Sequence, residues 1–164
     1  MNNKGFTLIE LLATIILLAI IMTVTTVSVV NIMDSSNNKS YSILVEDIKI
    51  AAQEYFEECE NNNIISTNIT CPSITTSDSS SYITKTSNAF KLDELLNYGF
   101  LKGTSVEEDN ARKILDPKTN ANIGTCTLKV TKKITKNTRN VVYTVARVSS
   151  SVTVSGKTIS CPSY

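Results

Sequence analysis

Gly5-Phe6-Thr7-Leu8-Ile9-Glu10 opens the chain and is followed by an apolar run from Leu11 to Val30. A helix rises about 1.5 Å per residue, so roughly 20 apolar residues cross the hydrocarbon core of a bilayer. The run has this length and predicts a transmembrane helix. The short leader before it carries one cation, Lys4, which predicts that the rest of the chain lies outside.

The carboxylate of Glu10 lies at the edge of this apolar run. An ionised carboxylate near the lipid core costs about a few kcal/mol and normally has a partner. No Lys or Arg follows within the next turns of the same helix. We therefore predict that its counter-charge comes from another molecule, or from an amine that forms when the chain is cut.

Residues Lys4–Glu10 and the apolar run together resemble the class III signal of type IV pilins and pseudopilins. The resemblance implies that a prepilin peptidase cuts between Gly5 and Phe6 and methylates the new terminal amine of Phe6. It also implies that Glu10 pairs with the terminal amine of a neighbouring subunit during assembly. An ordinary signal peptide or signal anchor is the alternative, but a secretory signal would have a small-residue cleavage site after the apolar region.

The remainder of the 164 residues is long enough for one modest domain. We predict a leader at residues 1–5, a transmembrane and polymerisation helix at 6–33, and a pilin-like head at 34–164. Charge is distributed unevenly over this head. Residues 34–60 carry two lysines against seven acids, and residues 111–164 carry ten cations against one acid.

The predicted fold class is α+β, with a long N-terminal helix on a small antiparallel sheet. Apolar residues recur at spacings of three and four from Tyr41 to Cys59, which predicts that the helix continues as an amphipathic spine. Asp34–Asn38 is the segment of this helix with the weakest helix propensity, and a bend or short break is expected there. From Thr125 apolar residues alternate with polar ones, which predicts a three-stranded meander with turns at 136–140 and 149–151.

The segment between helix and meander is rich in Ser, Thr and Asn. It predicts a long loop up to Ser87, with one short strand at Ile64–Ile69 and an exposed serine-rich stretch at Thr75–Ser81. A short helix follows, with Ser87 or Asn88 as its N-cap and Gly99 at its C-terminal end.

Four cysteines lie beyond the apolar run, and an even number in an exported domain favours two disulfides. The sequence permits three connectivities. Pairing nearest neighbours in order favours Cys59 with Cys71 and Cys126 with Cys161. A zinc site is disfavoured, because the chain has no histidine and no C-x-x-C motif.

The sequence leaves three interpretations of the densest basic cluster open. It can protect a sheet edge, contact the acidic helix of a neighbouring subunit, or bind the phosphates of DNA. Its members are Lys129, Lys132, Lys133, Lys136 and Arg139.

An acidic loop before the meander contains Glu107, Glu108, Asp109 and Asp116. Oxygen-rich loops of this kind hold calcium, and Leu115–Pro117 is similar to the calcium loop of major pseudopilins. A solvated acidic turn is the alternative, and no other cofactor or metal is expected. Without histidine or a glycine-rich loop, the chain is not expected to be an enzyme.

The resemblance implies a structural subunit of a type IV pilus or of a pseudopilus like those of type II secretion. It further implies single-pass insertion in the bacterial cytoplasmic membrane with the head outside, then assembly into a surface or periplasmic filament by an ATPase and a membrane platform protein. The alternatives are a minor pilin or pseudopilin that acts in DNA uptake or adhesion, and an anchored surface protein that never assembles.

Overall fold

Helix α1 spans Leu8–Glu60 and is the longest element of the chain. The computed structural model describes residues 7–61, 69–105 and 112–164, and the chain divides between Lys39 and Ser40 into two compact units. Asp34–Asn38 is helical throughout, so the segment with the weakest predicted helix propensity contains no break. Within the described ranges, no helix combines the length and the hydropathy that crossing a membrane requires. The boundaries predicted after residues 5 and 33 stay predictions.

The second half of α1 buries one face, as its amphipathic pattern predicts. Spacings of three and four place these side chains on one side of the helix. The buried residues are Ile48, Ala51, Ala52, Tyr55, Phe56 and Cys59. The helix ends at Glu60, where the Asn61 N–H donates to the Glu57 carbonyl at 3.0 Å.

Nine strands are described after α1, and five of them form one antiparallel sheet. The elements in chain order are β1 (Ile74–Asp78), β2 (Tyr82–Ser87), β3 (Phe90–Lys91), α2 (Leu92–Asn97), β4 (Thr104–Ser105), β5 (Arg112–Lys113), β6 (Thr127–Thr135), β7 (Val141–Arg147), β8 (Ser151–Val154) and β9 (Lys157–Ser160). Strand β6 is central. It pairs with β2 and β3 along one side and with β7 along the other, because the β7 pairing overlaps both of the others. Since β1 pairs with β2, and since β7 and the two-residue β3 each pair with β6 alone, the outer strands are β1, β7 and β3.

The buried face of α1 packs against the inner face of this sheet, which carries Leu128, Val130 and Val145. Tyr55 lies at the centre of the contact. Its ring centroid is 5.1 Å from that of Phe90, and the rings of Tyr98 and Phe100 lie at 5.8 and 5.4 Å. The architecture is therefore α+β and pilin-like, a long N-terminal helix on an antiparallel sheet.

The prediction of a loop up to Ser87 is wrong over Ile74–Asp78 and Tyr82–Ser87, because β1 and β2 form a hairpin there. The β-branched residues of ITTSD and YITKTS suit a pleated strand, and β6 supplies the neighbouring strand that orders them. Ser79 closes the turn, with its hydroxyl and its N–H donating to the Tyr82 carbonyl at 2.9 and 3.0 Å. Most of the strand predicted at Ile64–Ile69 lies outside the described residues.

The third strand of the predicted meander is also placed differently. Strand β8 does not join the five-stranded sheet but pairs with β9. The sequence pattern did not predict β9. Ser155 and Gly156 connect them with φ angles of 49° and 77°. Two residues at positive φ form the tight turn that favours a local hairpin. The predicted pairing of the first two strands, β6 and β7, is confirmed.

Helix α2 begins later than the predicted cap. Ser87 lies in β2, where its hydroxyl oxygen accepts the Val130 N–H at 3.0 Å, and the Glu94 carboxylate instead accepts the Lys91 N–H at 3.0 Å. Its C-terminal end is as predicted. Gly99 has φ +85° and donates its N–H to the Leu96 carbonyl at 3.2 Å.

Both favoured disulfide pairings are present. Cys59 joins Cys71 across a sequence separation of 12 residues and fixes the chain that leaves α1. Cys126 joins Cys161 across a separation of 35 residues and holds the C-terminal segment beside the start of β6.

Candidate functional site

The predicted processing site, Gly5 and Phe6, lies outside the described residues. Thr7 is the first residue that the structure describes, and α1 begins directly after it at Leu8. The Leu11 N–H donates to the Thr7 carbonyl at 3.2 Å, which closes the first helical turn. The motif identified in the sequence therefore ends inside the first turn of α1.

Thr7 and Glu10 form a reciprocal cap at the start of this helix. The first N–H groups of a helix have no partners within it, and side chains commonly supply them. One Glu10 carboxylate oxygen accepts the Thr7 N–H at 3.0 Å and the Thr7 hydroxyl at 2.9 Å. The Glu10 N–H lies 3.4 Å from the Thr7 hydroxyl oxygen. Glu10 therefore caps the first turn of its own helix. Its predicted pairing with an amine must either replace these hydrogen bonds to Thr7 or form beside them.

The charge of Glu10 has no cationic partner among the described residues. Beyond it, the large apolar side chains from Leu11 to Met22 each keep between 49% and 65% of their surface accessible. A helix that is apolar on every side is stable only where other apolar groups surround it. This part of the chain therefore requires an apolar partner or environment.

Lys129, Lys132 and Lys133 of the predicted basic cluster do not lie on a sheet edge, because β6 is the central strand, and Lys136 and Arg139 lie in the turn after it. The interpretation that these residues protect a sheet edge is therefore wrong. Neighbouring residues of a strand point to opposite faces, so Lys129 and Lys133 lie on the outer face and Lys132 on the inner face towards α1. The five cations do not form one surface.

Lys132 lies between two glutamates of α1. Its Nζ is 2.8 Å from a carboxylate oxygen of Glu57 and 2.8 Å from one of Glu60. Lys85 is directly opposite Lys132 in the sheet and contacts the other oxygen of Glu60. Part of the acidic charge of α1 is therefore neutralised inside one chain, in the contact between helix and sheet.

The pKa values of this network reflect the ion pairs. Burial disfavours the ionised form of Glu60, but hydrogen bonds and charge from Lys132 and Lys85 hold its pKa below the ordinary value. Burial likewise disfavours the charged form of Lys132, and the two carboxylates together raise its pKa above the ordinary value. Both groups are therefore charged at neutral pH.

The other members of the cluster are dispersed. The Lys133 Nζ lies 3.9 Å from the ring centroid of Tyr82, and the Lys136 Nζ is 2.6 Å from Asp78. Lys129 is exposed in mid-strand, and Arg139 is exposed in the turn after β6 with φ 53°. Lys129, Lys133 and Arg139 are the members without an acidic contact in the described part of the chain.

Asp116 is buried and its oxygens hold a turn together. One oxygen accepts the Lys118 N–H at 2.9 Å and the other accepts the Thr119 hydroxyl at 2.9 Å. Glu107, Glu108 and Asp109 lie outside the described residues. No group of potential metal ligands is found in the parts of the head that are described, so calcium binding stays a prediction.

Residues 1–26 match the family model described as the prokaryotic N-terminal methylation motif. The chain carries a prokaryotic N-terminal methylation motif. This motif is the class III signal of type IV pilins and pseudopilins, and it implies processing by a prepilin peptidase and assembly with other pilin-type subunits. Comparison of the chain with curated proteins and with solved structures gave no match.

The roles of two residues near the functional positions, Thr7 and Lys85, were not predicted from the sequence. The spacing of Thr7 and Glu10 inside the methylation motif is that of a capping box, which was a readable signal. Lys85 gave no comparable signal, because its approach to Glu60 depends on the register between β2 and β6.

Proposed function

We propose that this chain is the structural subunit of a bacterial type IV pilus or pseudopilus, made as a membrane-anchored precursor and assembled through α1. The observation that carries the proposal is the methylation motif at residues 1–26, with Glu10 in the first turn of the helix that follows. The apolar side chains exposed around the first half of α1 support it. Helices of neighbouring subunits would cover them in a filament.

In this proposal the peptidase removes residues 1–5 and methylates the amine of Phe6. The amine of an incoming or neighbouring subunit then binds the Glu10 carboxylate, which has no other cation among the described residues. Burying that carboxylate without a counter-charge would be costly in an apolar filament core. An assembly ATPase and a membrane platform protein would drive the transfer from membrane to filament.

Mass spectrometry of the native N-terminus tests the processing step. We expect a chain that starts at Phe6 and carries the mass of one added methyl group. A chain that starts at Met1 would contradict the proposal and favour an anchored protein that never assembles. Replacing Gly5 by a bulky residue should leave the leader attached.

A pair of Glu10 variants separates charge from helix capping. Glu10→Gln keeps an oxygen that can accept the Thr7 N–H but removes the charge, and Glu10→Ala removes both. We expect both variants to be cleaved and neither to enter filaments. Normal filament yield from Glu10→Gln would show that the cap matters and the ion pair does not.

The alternative role, a minor subunit that binds DNA or a surface, has weaker support. Lys132 and Lys136 contact acidic side chains of the same chain, which leaves fewer cations for phosphate. Lys129→Ala with Lys133→Ala is the informative variant, because it leaves the Lys132 ion pairs intact. Salt-sensitive DNA binding that this variant abolishes would favour the alternative.

A further inference from the structure

The five-stranded sheet has three outer strands, of which β3 has only two residues, and the longer β1 and β7 have no partner for their outward backbone groups among the described residues. Among the described residues, every backbone hydrogen bond of β1 is with β2 and every one of β7 is with β6. Val141 and Val142 of β7 are 40% and 50% exposed, and Thr75–Asp78 of β1 is exposed. Both edges are thus open to another strand.

The central positions of both edges lack the features that normally prevent sheets from joining. Exposed edge strands usually carry lysine or proline, or are covered by another element. Strand β1 (ITTSD) and strand β7 (VVYTVAR) contain neither residue, and their charged residues, Asp78 and Arg147, stand at the last position of each strand. An unprotected edge seven residues long favours pairing with a partner strand.

The direction of the strands selects the partner. Three antiparallel pairings separate β1 from β7, so these two strands run in opposite directions. A second copy in the same orientation therefore presents its β1 antiparallel to the β7 of the first copy. That contact continues the antiparallel order of the strands. It also places the inner faces of the two sheets on the same side.

We infer that β7 of one head pairs antiparallel with β1 of a second copy of this chain. The contact joins two different edges, so it repeats from copy to copy instead of closing into a dimer. The choice of β1, rather than a second β7, rests on the proposed filament function. Pairing of two β7 strands would instead give a closed symmetric dimer.

Opposed residues of an antiparallel pair share one face, which restricts the register. Ser77 and Thr144 both lie on the outer face, as do Ser77 and Val142. Two registers place β1 centrally on β7: one sets Ser77 opposite Thr144 and the other sets it opposite Val142.

Disulfide cross-linking of the full chain in mild detergent tests the inference. Two double variants cover the two registers, Ser77→Cys with Thr144→Cys and Ser77→Cys with Val142→Cys. We expect mild oxidation of one of them to give a ladder of covalent trimers and larger species. Each single variant should give nothing larger than a dimer, because a ladder needs both cysteines in every chain.

Thr84→Cys with Thr144→Cys is the matched control, since Thr84 lies on the same face one strand inside Ser77. We expect its ladder to be weaker several-fold, because cysteines farther apart than about 7 Å between Cα atoms do not bridge. Equal ladders from control and test variants would overturn the inference. No ladder from either double variant, whether or not Thr144→Cys alone forms dimers efficiently, would also overturn it, whereas a failed N-terminal cleavage would count only against the proposed function.

Discussion

Replacing Lys132 by Met tests whether the ion pairs between α1 and β6 stabilise the head. Met keeps most of the length of the side chain but removes its charge. Only 11% of the Lys132 side chain and 11% of the Glu60 side chain are exposed. Breaking a buried pair from one side costs about 3–5 kcal/mol, because the other charge stays buried and unpaired.

Two features reduce the cost in this site. Glu57 is 36% exposed, so water replaces part of its lost contact, and Lys85 still contacts Glu60. We therefore expect Lys132→Met to lower the free energy of unfolding by about 2 kcal/mol. Lys136→Met is the control, because the Lys136 and Asp78 side chains are 37% and 63% exposed. An exposed pair of this kind contributes about 0.5 kcal/mol or less.

Urea unfolding of the full chain in mild detergent, followed by tyrosine fluorescence, measures both variants. All six tyrosines lie between Tyr41 and Tyr164, so the signal reports on the head alone. Equal losses of stability in the two variants would refute the assignment of a stabilising role to the Lys132 pairs.

The pH dependence gives a second readout of the same site. The pKa of Glu60 is lowered in the folded chain, so its contribution to stability is present at neutral pH and is lost as the pH falls through that lowered value. The difference between wild type and Lys132→Met should therefore shrink in acid. A difference that stays constant down to about pH 2 would show that lost packing, and not charge, causes the effect.

Three further predictions concern other parts of the chain. Thr7→Val should destabilise the first turn of α1 by about 1 kcal/mol while Thr7→Ser does not, measured by amide hydrogen exchange of Leu11, because only serine keeps the capping hydroxyl. Gly124→Ala should cost about 1–3 kcal/mol in thermal unfolding, because the added Cβ would lie 1.7 Å from an Asp93 carboxylate oxygen, and Asp93→Ala in the same chain should restore part of the loss. Removing the Cys126–Cys161 disulfide should cost about 1 kcal/mol more than removing Cys59–Cys71 in urea unfolding, since it closes the longer loop, and equal losses would contradict this account.

The sequence by itself determined the local features of this protein. The methylation motif and Glu10 are readable because they depend on residue types at fixed positions. The spine of α1 is readable because helical spacing of apolar residues needs no knowledge of the partner. The same holds for Gly99, whose positive φ ends a helix locally, and for the β6–β7 hairpin with its alternating pattern.

Only the tertiary structure decided which strands are neighbours. The hairpin of β1 and β2 is rich in Ser and Thr and looks like a loop until β6 pairs with it. That pairing makes β6 central, takes its lysines away from the edge and brings Lys132 and Lys85 together at Glu60. Contacts of this kind join residues that are far apart in sequence, so their geometry comes from strand order and register, which the pattern of one segment does not contain.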